Sequence, residues 1–428
     1  MGASDVEEDE RPVHRVYVSE FFIGRFQVTN DEYSRFVLAT GHPAPAVRDL
    51  PLITLGGALV SAYIVAKLAP EAEGHGTDSA IEAVHTDPRA IRVRAVLVKM
   101  VSSALTIGSG GSGGREGPTA QISAGFGSLL TRWLDLSDED GRVAVSIGIG
   151  SGIGAIFGAP LGGAVLAASI VYREDFDYRS LIPGFITSGT AYAIYGSILG
   201  FEPLFGFIAP RYHFDARQLV WFLVIGIVSA AIGYLYARVF HGTVTLTKRL
   251  PGGSVLKPAV GGLLVGLLAL LIPQILSSGY GWAQLASAKD TLMTIPLWIV
   301  LILPLAKIVA TSLSIGTGGS GGIFGPGIVI GAFVGAAIWR LADLAGAPGI
   351  PDGPGVFVVV AMMACFGSVA HAPLAVMIMV AEMTGSFSVI PGAMIAVGIA
   401  YLLITRTSVS IYQAQRLNRE AAEADRLR

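Results

Sequence analysis

Charge is what this sequence has least of. Asp, Glu, Lys and Arg make up 14% of its 428 residues, against about 25% in soluble domains, which excludes a mostly wet surface. The scarcity is organised. No charged residue falls in 143–172, 180–201, 218–237, 258–288, 308–339, 353–381 or 383–405. A helix crossing hydrocarbon needs about 20 apolar residues, and each gap reaches that length. Cysteine is almost absent too. The single Cys365 lies in an apolar run and has no internal partner, so no oxidising compartment is implied. With Lys+Arg at 29 and Asp+Glu at 31 the net charge is −2, which leaves no basic footprint for nucleic acid. No signal-peptide pattern opens the chain, and no residue cluster calls for a metal or another cofactor.

What is abundant is apolar surface and glycine. Hydrophobic residues reach 52% and there are 55 glycines; mean hydropathy is +0.63. Glycine weakens ordinary helices by about 1 kcal/mol against Ala. In a bilayer it lets helices approach closely and permits broken helices that line a cavity. The expectation is an all-α integral membrane protein whose main partner is the lipid bilayer. The pattern predicts helices over 52–69, 91–107, 117–134, 142–157, 159–172, 180–198, 217–240, 256–275, 293–314, 323–343, 354–367, 372–384 and 388–405, with a last one from about 408. Several are too short for a full span, which points to broken helices and a site near the midplane.

Residues 1–50 differ in character. They hold nine acidic and five basic residues and no helix-length apolar run. Met1-Gly2, Glu10-Arg11-Pro12-Val13-His14, Phe21-Phe22-Ile23, Val28-Thr29-Asn30-Asp31-Glu32-Tyr33 and Thr40-Gly41-His42-Pro43 resemble the opening of a formylglycine-generating, sulfatase-modifying enzyme domain. That family's catalytic cysteines lie far downstream, and Cys365 cannot supply them, so no enzyme activity is expected. The domain boundary is placed at 50, with an incomplete extramembranous fragment before it and residues 51–428 as the membrane domain.

An internal repeat organises that domain. Ile107 to Pro118 reads IGSGGSGGREGP, and Ile315 to Pro326, 208 residues later, reads IGTGGSGGIFGP; nine of twelve positions agree. Lys99 mates with Lys307 at the same offset, and Ala159-Pro160-Leu161 pairs more weakly with Ala372-Pro373-Leu374. Two similar halves in a membrane suggest a duplicated fold, often inverted, though the sequence does not display the inversion. Each copy is a Gly-rich turn, then Gly-Pro, then an apolar helix. Pro suits the first helical turn, and a helix N-terminus presents free N–H groups and partial positive charge to an anion. Glu116 inside such a motif is an intramembrane carboxylate, costly and functional by default. Pairing with Arg115 is a poor explanation, because adjacent helical residues do not face each other.

Gly114-Arg115-Glu116-Gly117-Pro118 and Gly322-Ile323-Phe324-Gly325-Pro326 resemble the two best-known motifs of the CLC family of chloride channels and transporters, over about 52–428. The resemblance implies a twofold internally repeated bundle of tilted and broken helices, in a multi-pass protein of a bacterial-type inner membrane. It implies a homodimer with one pore per subunit and chloride or related anions as cargo. Glu116 would be the gating residue. The anion would meet the backbone of Ile323 and Phe324, the Tyr412 hydroxyl within Ser410-Ile411-Tyr412-Gln413-Ala414, and the segments holding Arg115, Gly117, Gly74, His75 and Gly76.

Three departures qualify the resemblance. Where the family reads Gly-Ser-Gly-Ile-Pro, this chain reads Gly74-His75-Gly76-Thr77-Asp78. His75 therefore replaces an anion-touching serine, where it either donates an N–H or faces the aqueous vestibule, and Asp78 would cap the helix. The inner proton-relay acid that the resemblance implies after Pro160-Leu161-Gly162-Gly163 is here Ser169 and Ile170, the expected proton path being Glu116, Ser169 and Ile170. Residues 1–50 stand where the resemblance implies the family's first one or two helices. The reading is a chloride channel or loosely coupled transporter gated by Glu116. The alternatives are chloride/proton or fluoride/proton antiport, or an inactive membrane-tethered formylglycine-generating fragment.

Overall fold

The computed structural model describes residues 47–206, 208–209 and 212–426. The fragment motifs between Met1 and Pro43 lie outside them. Among the described residues helix is the only regular secondary structure, apart from two isolated bridges of β type. Seventeen α-helices follow in order: α1 Leu50–Leu68, α2 Thr77–His85, α3 Val93–Gly108, α4 Glu116–Trp133, α5 Asp138–Phe157, α6 Pro160–Ser169, α7 Tyr178–Leu199, α8 Leu219–Arg249, α9 Leu256–Ala269, α10 Tyr280–Ser287, α11 Lys289–Thr294, α12 Leu297–Ile315, α13 Phe324–Leu344, α14 Gly355–Val369, α15 Pro373–Thr384, α16 Ile390–Thr405 and α17 Arg419–Arg426. Among the described residues, five helical stretches are long and apolar enough to cross a membrane: 47–68, 216–249, 297–315, 324–344 and 387–405. This is a multi-pass membrane protein, and Ile182, Ile186, Ile194 and Ile198 form an exposed apolar stripe on α7 that needs an apolar solvent.

Two expectations are corrected. The helix expected from about 408 is absent: Ser408 takes a left-handed φ of 55°, residues 409–418 run irregularly, and only α17 is helical. The expected helix over 256–275 stops at Ala269 and gives way to a short 3-10 turn, Pro273–Ile275. The short helices α10 and α11 were not expected, and α2 was expected only as the helix that Asp78 would cap, with no range given.

Helix ends follow local chemistry. Proline enters the first turn of α1, α6, α15 and α16, where its missing N–H costs nothing. The Ser137 hydroxyl accepts from Asp140 N and caps α5. The bundle is held by close backbone crossings. A Cβ on Gly127 of α4 would overlap the Ala144 carbonyl of α5, and one on Gly335 of α13 would overlap the Phe357 carbonyl of α14. These glycines stand 208 residues apart, so the repeat reuses one helix-crossing device in both halves. The shorter helices α6 and α15 pack on each other, with Gly162 against Met379 Cα. Glu382 of α15 caps α6, accepting from Leu161 N at 3.1 Å and Gly162 N at 2.7 Å.

Candidate functional site

The two Gly-rich loops meet in the interior. Gly114 and Gly322 form an antiparallel bridge, with Gly114 N–H donating to the Gly322 carbonyl at 2.7 Å and Gly322 N–H returning the bond at 2.5 Å. A second reciprocal pair surrounds the first: Gly113 N–H reaches the Ser277 carbonyl and Gly321 N–H the Gly74 carbonyl, both at 3.3 Å. Residues 113 and 321 are repeat mates, so 74 and 277 must be equivalent too. The chain bears this out, since a 3-10 turn Pro70–Ala72 precedes α2 as Pro273–Ile275 precedes α10. Gly76 and Gly279 enter those helices with φ of 83° and 86°. This second repeated element has an offset of 203, and the sequence reading missed it.

Buried lysines staple both elements. Lys99 Nζ donates to the carbonyls of Ala72 at 3.0 Å and Gly74 at 2.6 Å. Lys307 Nζ donates to Ile275 at 2.7 Å and Ser277 at 2.6 Å. Both side chains are fully buried, and a buried ammonium is tolerated only when so bonded.

The outcome is a convergence of helix N-termini. The His75 carbonyl and the Gly322 Cα both lie against Gly117, close enough that a Cβ on Gly117 would overlap them. The starts of α2, α4 and α13 therefore share one space, each bringing N–H groups that lack an intrahelical partner. Glu116 sits there fully buried. One carboxylate oxygen accepts from Gly325 N at 3.1 Å, and the other accepts from the Tyr280 hydroxyl. Arg115 turns away, donating to the Ile156 carbonyl at 3.2 Å. A negative side chain thus occupies a helix N-terminus, where anions bind.

Ile323 and Phe324 begin α13 beside it. The Tyr236 hydroxyl donates to the Ile323 carbonyl at 2.8 Å. In a trans peptide the following N–H points the opposite way, so this bond aims the Phe324 N–H. The Phe324 ring packs at 4.2 Å from Phe366, and Phe366 lies 6.5 Å from Tyr412. Tyr412, carried by the irregular 409–418 segment, is 1% exposed. Its hydroxyl has no hydrogen-bond partner.

His75 is brought to the same place. It is 8% exposed, so it does not face an open vestibule. Its ring lies 5.8 Å from that of Tyr412 and 5.9 Å from that of Phe240. Nε2 is already engaged with Asp78 Oδ2 at 3.1 Å, while Nδ1 is buried without a partner. Asp78 does not cap α2, since Gly76 holds the N-cap position. Instead it accepts from Gln413 N at 3.2 Å and Ala414 N at 3.1 Å, clamping the Tyr412 segment to α2. Gly74 and Gly76 shape this turn with left-handed φ. Ser169 bonds back to the Val165 carbonyl of its own helix. Ile170 is buried, its carbonyl accepting from Gln415 Nε2. Neither carries a titratable group.

The sequence reading named Glu116, His75, Ile323, Phe324 and Tyr412, but not Tyr280 or Tyr236. Tyr280 holds the position equivalent to Thr77, the first residue of α2, and the unseen second repeat was the signal that would have found it.

The profile of the family described as voltage gated chloride channel matches residues 57–405. That of the sulfatase-modifying factor enzyme 1-like domain matches residues 1–91, overlapping α1 and α2. A putative chloride channel protein ClcB-like of Ralstonia nicotianae is 31% identical over 82% of this chain and 81% of its own length. The H(+)/Cl(−) exchange transporter ClcA of Vibrio campbellii is 30% identical over 80% of this chain and 73% of its own. The crystal structure of a CLC-type fluoride/proton antiporter superposes with a TM-score of 0.74 at 24% identity, covering 90% of this chain and 91% of that one.

Proposed function

The chain belongs to the voltage gated chloride channel family, and on that premise we propose that it carries chloride or a similar small anion along a path gated by Glu116. One observation carries this reading: the Glu116 carboxylate takes up the Gly325 N–H at the start of α13. A charged carboxylate there competes with a passing anion, and a protonated one releases the donors. Ile323, Phe324 and the unpaired Tyr412 hydroxyl form the next anion stop, flanked by Gly74, His75, Gly76, Arg115 and Gly117. Helix dipoles and N–H groups hold an anion without trapping it, as conduction requires. Residues 51–428 are the transport domain in this reading, and residues 1–50 an appendage. The resemblance supports a homodimer with one path per subunit.

A channel or loosely coupled transporter is the favoured form, because Ser169 and Ile170 offer no inner acid. Chloride/proton or fluoride/proton antiport is the second reading. It is favoured by the His75–Asp78 pair, a titratable group beside the path, and by the names borne by relatives. The tethered-enzyme reading is disfavoured, because the sole cysteine, Cys365, is buried inside α14.

Reconstitution in liposomes tests this, with chloride efflux and external pH followed together. Anion efflux is expected; efflux without proton movement selects the channel form, and no anion flux overturns the proposal.

A further inference from the structure

The His75–Asp78 pair and its surroundings carry an inference that rests on the anion-path reading and deepens it. An ionised carboxylate only accepts hydrogen bonds, and Asp78 accepts three: from His75 Nε2, Gln413 N and Ala414 N. Nε2 therefore carries the hydrogen, and in a neutral imidazole the lone pair is left on Nδ1. That atom is buried without a partner, as is the neighbouring Tyr412 hydroxyl. A lone pair repels an anion, whereas a proton on Nδ1 converts it into a charged donor. His is the side chain that ordinarily changes charge between about pH 5 and 8.

Protons have access. The Asp78 side chain is 29% exposed while that of His75 is 9% exposed. Gln413, whose N–H is held by Asp78, also reaches His241 Nδ1 with its amide at 3.0 Å. Gln413, His241 and Ser410 line a cavity of about 620 Å3 together with Arg173, Arg238 and Arg249. Its basic wall concentrates anions at the same entrance. The charged and titratable groups around His75 are Asp78 on α2, Lys99 through the Gly74 carbonyl, Glu116 at the start of α4, His241 on α8, Arg173 before α7, and Tyr412.

We propose that His75, oriented by Asp78, is a proton-binding specificity residue of the anion stop beside Tyr412, so that entry of an anion there is accompanied by uptake of one proton on His75 Nδ1. The balance is simple: a proton from the cavity water adds to Nδ1, the imidazolium stays hydrogen-bonded to the Asp78 carboxylate, and the anion's charge is met by the new N–H. This supplies proton linkage without an inner acid at Ser169 or Ile170.

The test removes the other proton-binding gate first. Chloride binding to the purified Glu116→Ala protein is measured by titration calorimetry near pH 7, in buffers of unlike ionisation enthalpy, and again with His75→Ser or Asp78→Asn added. In Glu116→Ala, binding is expected to take up close to one proton. By reciprocal linkage its affinity falls with rising pH, approaching about tenfold per unit once the imidazole is neutral. His75→Ser, which restores a hydroxyl donor, should bind chloride with no proton uptake and a flat pH profile, and Asp78→Asn should lower the uptake. Equal uptake with and without His75, or binding with no uptake in Glu116→Ala, overturns the proposal alone. No chloride binding to any of the proteins overturns the anion-path reading and this one with it.

Discussion

Gly114 and Gly322, repeat mates 208 residues apart, hydrogen-bond to each other through both of their backbone groups. Two equivalent residues paired antiparallel to each other place a local twofold axis between them. The halves are therefore inverted around the site, which the letters of the repeat do not disclose. Two of the residues that the proposal places on the anion path sit beside this contact: Glu116 two residues beyond one member, Phe324 two residues beyond the other.

The contact has no room for a side chain. A Cβ on Gly322 would lie 2.7 Å from Gly117 N and 2.8 Å from the Gly114 carbonyl. Gly322→Ala should therefore destabilise by about 1–3 kcal/mol or more, seen as a lower melting temperature in detergent. Gly56→Ala, on a helix face with nothing within 4 Å of the new Cβ, should leave stability equal or slightly raised. Equal melting of the two variants would contradict the packing argument.

Lys307→Met removes the ammonium shared by the Ile275 and Ser277 carbonyls and leaves buried acceptors unmet, at about 1–3 kcal/mol for each. A clear loss of thermal stability is expected. Lys67→Met, on an exposed helix end, should stay within about 0.5 kcal/mol. A Lys307→Met protein as stable as the parent would show that the staple does not hold the α10 entrance.

Tyr280→Phe takes away the hydroxyl that donates to Glu116. Hydrogen bonds to charged groups contribute about 1.5–3 kcal/mol, so the docked carboxylate should be roughly ten- to hundredfold less favoured. Chloride efflux at neutral pH is expected to rise toward that of Glu116→Ala. An unchanged rate would mean that Tyr280 does not hold the gate shut.

How much was legible from sequence follows from what kind of constraint each residue obeys. The 107–118 and 315–326 repeat was readable because turn geometry and Gly-Pro helix starts admit few residues, so both copies keep the same letters. The Pro70–Gly76 and Pro273–Gly279 elements do the same job with only the prolines and the left-handed glycines in common; their carbonyls, not their side chains, bind Lys99 and Lys307, so the intervening letters were free to diverge. The short helices α10 and α11 were missed, and α2 was given no range, because six to nine residues leave no hydropathy gap. The segment from about 408 was read as helix, but Ser408 turns left-handed and the segment is pinned by side chains, with Asp78 holding Gln413 and Ala414. His75 and Asp78 were each noticed, yet their pairing across the helix start was not, because a capping role for Asp78 looked sufficient.

The central claim is that the Glu116 carboxylate stands where an anion would otherwise bind, and bromide diffraction tests it most directly. Crystals of the parent protein and of Glu116→Ala are soaked in bromide and anomalous density is compared at the start of α13. The account predicts an anomalous peak within hydrogen-bonding reach of the Gly325 N–H in Glu116→Ala, and none there in the parent at neutral pH. A vacant Gly325 N–H in the variant, or bromide beside it while Glu116 remains docked, would contradict the account.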